Sequence, residues 1–272
     1  MQHAAQGCTL PKPQEAAPLP AISVRGLRIG YGGHVLLDEA SFDVNRGEIL
    51  VILGGSGSGK SSLMKNLIGL YRPMAGDILI DGTSLVNADA QTRAHLQRRL
   101  GVMYQSGALF GSLTILENVR FPLDQFTDLT LAEKNLVARM LLHTVEMAHA
   151  ESLMPAELSG GMLKRAGIAR AMALGCDILL LDEPSAGLDP ITAANLDRII
   201  LSLRRNLGVT FMVVTHELES IFAIADRAIM LDAPSRAVIA VGAPAALRDQ
   251  STDPRVHQFF NRQPDALWER EP

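Results

Sequence analysis

The sequence predicts an α/β fold built around a parallel sheet, and three observations carry that prediction. Three short segments are apolar throughout: Ile49–Leu53, Ile178–Leu181 and Phe211–Val214. A sheet with one wet face alternates apolar and polar residues, whereas an unbroken apolar run marks a strand covered on both faces, as in a parallel sheet between helices. Each run also ends in polar residues at its C-terminal side, the edge where open α/β sheets bind ligands. Finally, helical periodicity separates the runs. Val137, Met140, Leu141 and Thr144 mark one helical face, and Leu196, Ile199, Ile200, Leu203 and Leu207 mark another.

Taken in order, residues 1–20 are rich in Ala, Pro and Gln without a period, and read as a disordered leader. From Ile22 to Val44, short alternating segments broken by Gly30 and Gly32-Gly33 predict antiparallel strands and turns. Glu48–Leu53 is the first buried strand, and Ser61–Ile68 a helix. Ile78-Leu79-Ile80-Asp81-Gly82 predicts a strand closed by a turn. Thr130-Leu131-Ala132-Glu133 fits a capping box at a helix start, and Gly208 fits the stop of the later helix. Near the C-terminus, Asp253 can cap a helix with Pro254 in its first position, which places Val256, Phe259 and Phe260 on one face.

Bulk properties narrow the function. A net charge of −4 and 4% aromatic residues argue against nucleic acid as a partner, since phosphate backbones call for basic surface and bases for stacking platforms. Cys8 and Cys176 are far apart and lack ligand spacing, so neither a disulfide framework nor a zinc site is implied. No apolar run approaches the roughly 18–20 residues that cross a bilayer, and the N-terminus has no secretory pattern. Any service to a membrane is expected to run through partners on its water side.

The chemistry is concentrated in Gly54-Gly55-Ser56-Gly57-Ser58-Gly59-Lys60-Ser61, which matches G-x-x-x-x-G-K-[ST] between a strand and a helix. Such a loop turns its backbone N–H groups onto phosphate oxygens, and the helix N-terminus adds positive partial charge. Lys60 is expected to reach the β- and γ-phosphates and Ser61 to ligate Mg²⁺, with Ser62 completing the segment. The run Ile178–Leu181 ends in Asp182-Glu183. Asp182 can hold Mg²⁺ and Glu183 can polarise an attacking water. Leu158-Ser159-Gly160-Gly161-Met162 offers a capping hydroxyl and bare N–H groups at a helix start, suited to an anion.

In this order, the phosphate loop, Leu158–Met162, Asp182-Glu183, Ser185-Ala186-Gly187-Leu188-Asp189 and His216 resemble the ATP-binding cassette (ABC) ATPases across about residues 22–245. The resemblance implies a P-loop NTPase fold with a RecA-like core, an antiparallel β-subdomain and an inserted helical subdomain. It implies an ATPase domain over 21–250, with the helical part at about 106–165. It also implies a head-to-tail homodimer with two ATP molecules in its seam, each touching Lys60 and Ser61 of one subunit and Ser159, Gly160 and Gly161 of the other. Tyr31 resembles the aromatic that stacks on adenine. Gln105 resembles the glutamine that joins Mg²⁺ and water to the transport partner, Asp189 the seam acid, and His216 the histidine that senses the γ-phosphate. Met162 departs from the family, which commonly has Gln there, and a thioether cannot replace an amide's hydrogen bonds.

Finer cues are similar to the Mla/Mce-type lipid-transporter ATPases: Met162 with Lys164-Arg165, Gln105–Phe110, Glu117-Asn118-Val119, Phe121-Pro122-Leu123, and Asp253–Phe260. This likeness implies phospholipid transport, a permease dimer, a cytoplasmic STAS-domain protein, a periplasmic lipid-binding MCE protein, and a place on the cytoplasmic face of the inner membrane. The apolar segment Ala108, Leu109, Phe110 and Leu113 fits either a groove for a permease helix or packing of the helical subdomain. The tail, 251–272, fits either a helix docked on its own core or one that binds a partner. Solute import, or a soluble assembly role, is the alternative.

Overall fold

The computed structural model describes residues 19–263. Chain order is β1 (Ile22–Tyr31), β2 (His34–Val44), β3 (Ile49–Gly54), α1 (Lys60–Leu67), β4 (Ala75–Ile80), β5 (Thr83–Ser84), α2 (Ala90–Arg98) and β6 (Leu100–Met103). Then come α3 (Ile115–Phe126), α4 (Leu131–Thr144), α5 (Gly160–Ala171), β7 (Ile178–Asp182), α6 (Pro190–Leu207) and β8 (Thr210–Val214). The chain continues through α7 (Leu218–Ile224), β9 (Arg227–Asp232), β10 (Ala237–Gly242), α8 (Pro244–Gln250) and α9 (Pro254–Asn261). The leader expected over 1–20 falls, up to residue 18, outside the described residues, as does Cys8.

Two sheets form. The smaller, β2-β1-β4-β5, is antiparallel throughout. The larger runs β10-β9-β3-β8-β7-β6, parallel except for the β9–β10 edge. Its alternate residues serve two cores. Ile49, Val51, Leu53, Leu179, Leu181, Phe211 and Val213 face a core shared with α5, α6 and the 115–150 helices. Leu50, Ile52, Ile178, Leu180, Met212 and Val214 face a core shared with α1 and the antiparallel sheet. That double burial is the reason for the unbroken apolar runs.

The strand β9 was not foreseen, because Asp226-Arg227 interrupts its apolar run. The charges sit at its entry and are used there. The Asp226 Oδ2 accepts from the Ile49 N–H at 2.9 Å, and Arg227 pairs with Glu48 at 3.0 Å. Helix α4 corrects the expected face. Its capping box at Thr130 and Glu133 is present, yet the buried residues are Ala138 and Leu142, followed by Val145, while Met140 is 61% exposed. The helix is apolar on several sides, so spacing alone did not fix its orientation, and the small Ala138 side chain lets it sit close to its neighbours. The 106–113 segment is pinned by Asn118, fully buried, whose Oδ1 accepts from Phe110 N–H at 2.7 Å and whose Nδ2 donates to Leu113 O at 2.9 Å. Helix α9 buries Val256 and Phe260 within its own chain, and Phe260 meets Phe222 edge-on at 5.9 Å.

Candidate active site

The phosphate loop joins β3, a central strand of the larger sheet, to α1. Gly54 has φ 146°, and a Cβ there would stand 2.5 Å from both Leu231 O and Ser58 Oγ. Only glycine lets the chain leave the strand this way. Lys60 Nζ donates to the carbonyls of Gly54 at 2.7 Å and Gly55 at 2.9 Å, so the ammonium lies over the loop. Burial pushes its pKa down, opposed by the charges of Glu183 and Asp182. Ser58 Oγ is buried without a hydrogen-bond partner among the described residues. Gly55, Ser56, Gly57 and Gly59 complete the loop, and a Cβ at Gly55 or Gly57 would meet open space. Ser62 Oγ accepts from the Tyr31 hydroxyl at 3.1 Å, and the Tyr31 ring stands edge-on to Tyr71 at 5.5 Å.

The acids arrive from β7. Asp182 is its last residue. Burial, and next the Glu183 charge, push its pKa above the usual carboxylate range, with Lys60 and Lys164 pulling the other way. Glu183 bends the chain into the left-handed region, φ 47°, and its N–H donates to Val214 O at 2.8 Å. This strained turn aims its carboxylate at the end of β8, where Oε1 lies 2.9 Å from His216 Nδ1. Its Oε2 is buried with no hydrogen-bond partner among the described residues. An acid with one oxygen tied to a histidine and the other free is placed to orient a water.

Ser61, Gln105 and Asp182 line one cavity of about 560 Å³, together with Met64, Lys65 and Tyr104. Their hydroxyl, amide and carboxylate oxygens are the hard donors Mg²⁺ takes. A cation among these donors would offset the burial and the Glu183 charge that disfavour the Asp182 carboxylate.

A second group gathers where α5 meets α6. Ser159 caps α5, accepting from the Met162 N–H at 3.3 Å. A Cβ on Gly160 would meet Leu188 Cδ2 at 3.3 Å, and one on Gly161 would meet Thr192 Cγ2 at 2.4 Å. Asp189 caps α6, accepting from the N–H groups of Ile191 and Thr192 at 3.1 Å and from the Thr192 hydroxyl at 2.6 Å. These bonds, the Thr192 hydroxyl first, hold its pKa below the ordinary value. Met162 packs partly buried against the core, so the residue that departs from the family is spent on packing.

Sequence reasoning missed a role for Lys164. It lies on the buried face of α5, and its Nζ donates to the Gln105 carbonyl and, at 3.1 Å, to the Glu183 carbonyl. One ammonium thus ties the Gln105 loop to the Glu183 turn. The available signal was a lysine amid Ala166, Gly167 and Ile168, on a face with no use for charge unless carbonyls meet it.

A family model described as ABC transporter matches residues 37–186. The chain is 38% identical over 243 residues to the "Intermembrane phospholipid transport system ATP-binding protein MlaF" of Escherichia coli (strain K12), covering 88% of each. The chain belongs to the ABC transporter ATP-binding family. This ABC ATPase is also 38% identical over 241 residues to the "Probable ribonucleotide transport ATP-binding protein mkl" of Mycobacterium leprae (strain TN), covering 89% of this chain and 69% of that protein. Among solved structures it matches cbiO1 from Clostridium perfringens, part of the ABC transporter complex cbiONQ, with TM-score 0.78, 26% identity, and coverage of 85% and 91%. It also matches the ATP-binding cassette MJ0796, seen as a dimer in a post-hydrolysis state bound to ADP and Pi, with TM-score 0.73, 27% identity, and coverage of 82% and 98%. No helix among the described residues is long and apolar enough to cross a membrane.

Proposed function

We propose that this ABC ATPase powers phospholipid movement between bacterial membranes, as a homodimer beneath a permease dimer on the cytoplasmic face of the inner membrane. The observation that carries the reading is a divided site. Lys60, Asp182, Glu183 and His216 meet at the C-terminal edge of the parallel sheet, with Glu183 and His216 2.9 Å apart. Ser159, Gly161 and Asp189 gather instead around Leu188 and Thr192. A second copy, turned head to tail, would bring its Ser159 helix start onto the γ-phosphate held by Lys60.

ATP closes such a pair because only the closed state offers each γ-phosphate both halves, and that differential affinity sets the population. Lys60 exchanges its two loop carbonyls for phosphate oxygens. Tyr31 stacks on the base. Ser61, Gln105 and Asp182 would hold Mg²⁺, which when bound neutralises charge on the phosphates. Glu183 orients water through its free Oε2 while His216 fixes the other oxygen. The Ser159 hydroxyl and the N–H groups of Gly160 and Gly161 receive the charge that develops on the γ-phosphoryl oxygens. Loss of the bridging phosphate reopens the pair.

The lipid cargo rests on the cues in Gln105–Phe110 and Asp253–Phe260 and on the likeness to a phospholipid-transport ATPase. A relative named for ribonucleotide transport keeps a solute in view. Purifying the intact complex from membranes and identifying its companions decides between them. A permease with an MCE protein, a STAS-domain protein and bound phospholipid is the expected set. A soluble solute-binding protein would replace the lipid reading with import, and a soluble scaffold without a permease would replace transport altogether.

A further inference from the structure

Helix α6 carries an acid where its core-facing stripe calls for an apolar residue. Leu196, Ile199, Ile200 and Leu203 are buried along it, and so is Asp197, 6% exposed. The carboxyl opens on a cavity of about 230 Å³ between the Ser185–Asp189 loop, α6 and the start of α7. Two further buried side chains line it, Ser185 from the loop and Ser220 from α7. The Ser220 hydroxyl lies close to the Asp197 carboxyl in this cavity. Asp197 Oδ1 and Ser185 Oγ are buried without hydrogen-bond partners among the described residues. Glu217 and Glu219 stand at the cavity's edge.

The placement is functional ground. Ser185 follows Glu183 by two residues and opens the loop that ends at Asp189, while Ser220 lies four residues past His216. We propose that Asp197 is a positioning residue, which links the Ser185–Asp189 loop to the His216 segment through the cavity its carboxyl shares with Ser185 and Ser220, so that the two segments move together during turnover. The cavity has room for several waters at roughly 30 Å³ each, and the orphaned oxygens supply the polar partners a water needs. Burial pushes the Asp197 pKa up, and the Ser220 hydroxyl opposes that shift. A leucine would complete the apolar stripe at no desolvation cost, so the acid earns its place by what it connects.

This role presupposes ATP turnover by the chain, and wild-type protein without turnover would remove that reading rather than this one. The test compares Asp197→Leu, Asp197→Asn, Ser220→Ala and Ser185→Ala in the full chain by steady-state ATP hydrolysis and thermal unfolding. Asp197→Leu is expected to lower kcat about three- to tenfold with KM unchanged and unfolding temperature equal or higher. Asp197→Asn, which keeps the size and a hydrogen-bonding oxygen, is expected to restore kcat to within about twofold. Ser220→Ala combined with Asp197→Leu should cost no more than Asp197→Leu alone. Wild-type kcat in Asp197→Leu, additive losses, or losses that track unfolding temperature in every variant would overturn the proposal. Should Asp197→Leu not fold, the Ser185→Ala and Ser220→Ala pair carries the same test: non-additive kcat losses support the link, and additive or absent losses refute it.

Discussion

Glu183→Gln isolates the chemical step from binding. The structure holds Glu183 Oε1 2.9 Å from His216 Nδ1 and leaves Oε2 buried without a partner among the described residues. A glutamine is the same size, and its amide oxygen can still accept from the histidine. What it cannot do is draw a proton from water at the second position. A positioned general base contributes about 10²–10⁴-fold, or about 2.7–5.4 kcal/mol of barrier. The backbone turn survives because it rests on the Glu183 N–H bond to Val214 O, not on the side chain. We therefore expect kcat to fall by about 10²–10⁴-fold, with ATP affinity retained and a dimer that persists in ATP because it no longer resets. Phosphate release under single-turnover conditions, read beside size-exclusion chromatography with and without ATP, measures both. Turnover within about threefold of wild type would refute the assignment of Glu183 and the divided-site mechanism with it.

Other expectations follow from the same geometry. Lys60→Ala removes the ammonium that lies over the loop carbonyls and should weaken ATP binding itself, seen in titration with a fluorescent ATP analogue. Lys164→Met cuts the tie between Gln105 O and Glu183 O; hydrogen bonds from a charged donor are worth about 1.5–3 kcal/mol, so kcat should drop while equilibrium ATP binding holds. Gly161→Ala forces a Cβ to within 2.4 Å of Thr192 Cγ2, and overpacking of about 1–3 kcal/mol should appear as a lower unfolding temperature. Asp182 has a folded pKa above its unfolded value. The folded state therefore holds more protons, and this residue's contribution to stability falls as pH rises from the unfolded value through the folded one. Without nucleotide, Asp182→Asn should then raise the unfolding temperature at neutral pH and have little effect well below the unfolded pKa.

What the sequence made legible was whatever depends on local order along the chain. The apolar runs of β3, β7 and β8 were readable because burial on both faces leaves a composition that needs no partner to interpret. The phosphate loop was readable because its spacing is a backbone requirement, visible at Gly54 in the approach of Leu231 O. The α4 face was not readable. Its stripe depends on which neighbour it meets, and Ala138 rather than Met140 takes the inner position. Lys164 was hidden for a different reason, since its partners are carbonyls of Gln105 and Glu183, distant in sequence and invisible in side-chain patterns.

Two kinds of contact hold this site together. The groups held by their own backbone are fixed by local geometry: Gly54 at its strand exit, Glu183 in its left-handed turn, Asp189 and Ser159 as helix caps. The groups that would answer to nucleotide or to a neighbour in the proposed mechanism are joined across the fold by single polar side chains, Lys164 between the Gln105 loop and the Glu183 turn, and His216 against Glu183. A point contact of that kind transmits displacement without stiffening either segment, because it restrains a distance and leaves the backbone torsions on both sides free. Apolar packing in the same places would have bound the loops to the core over a broad surface, and the proposed exchange between open and closed pairs would then require the core itself to move.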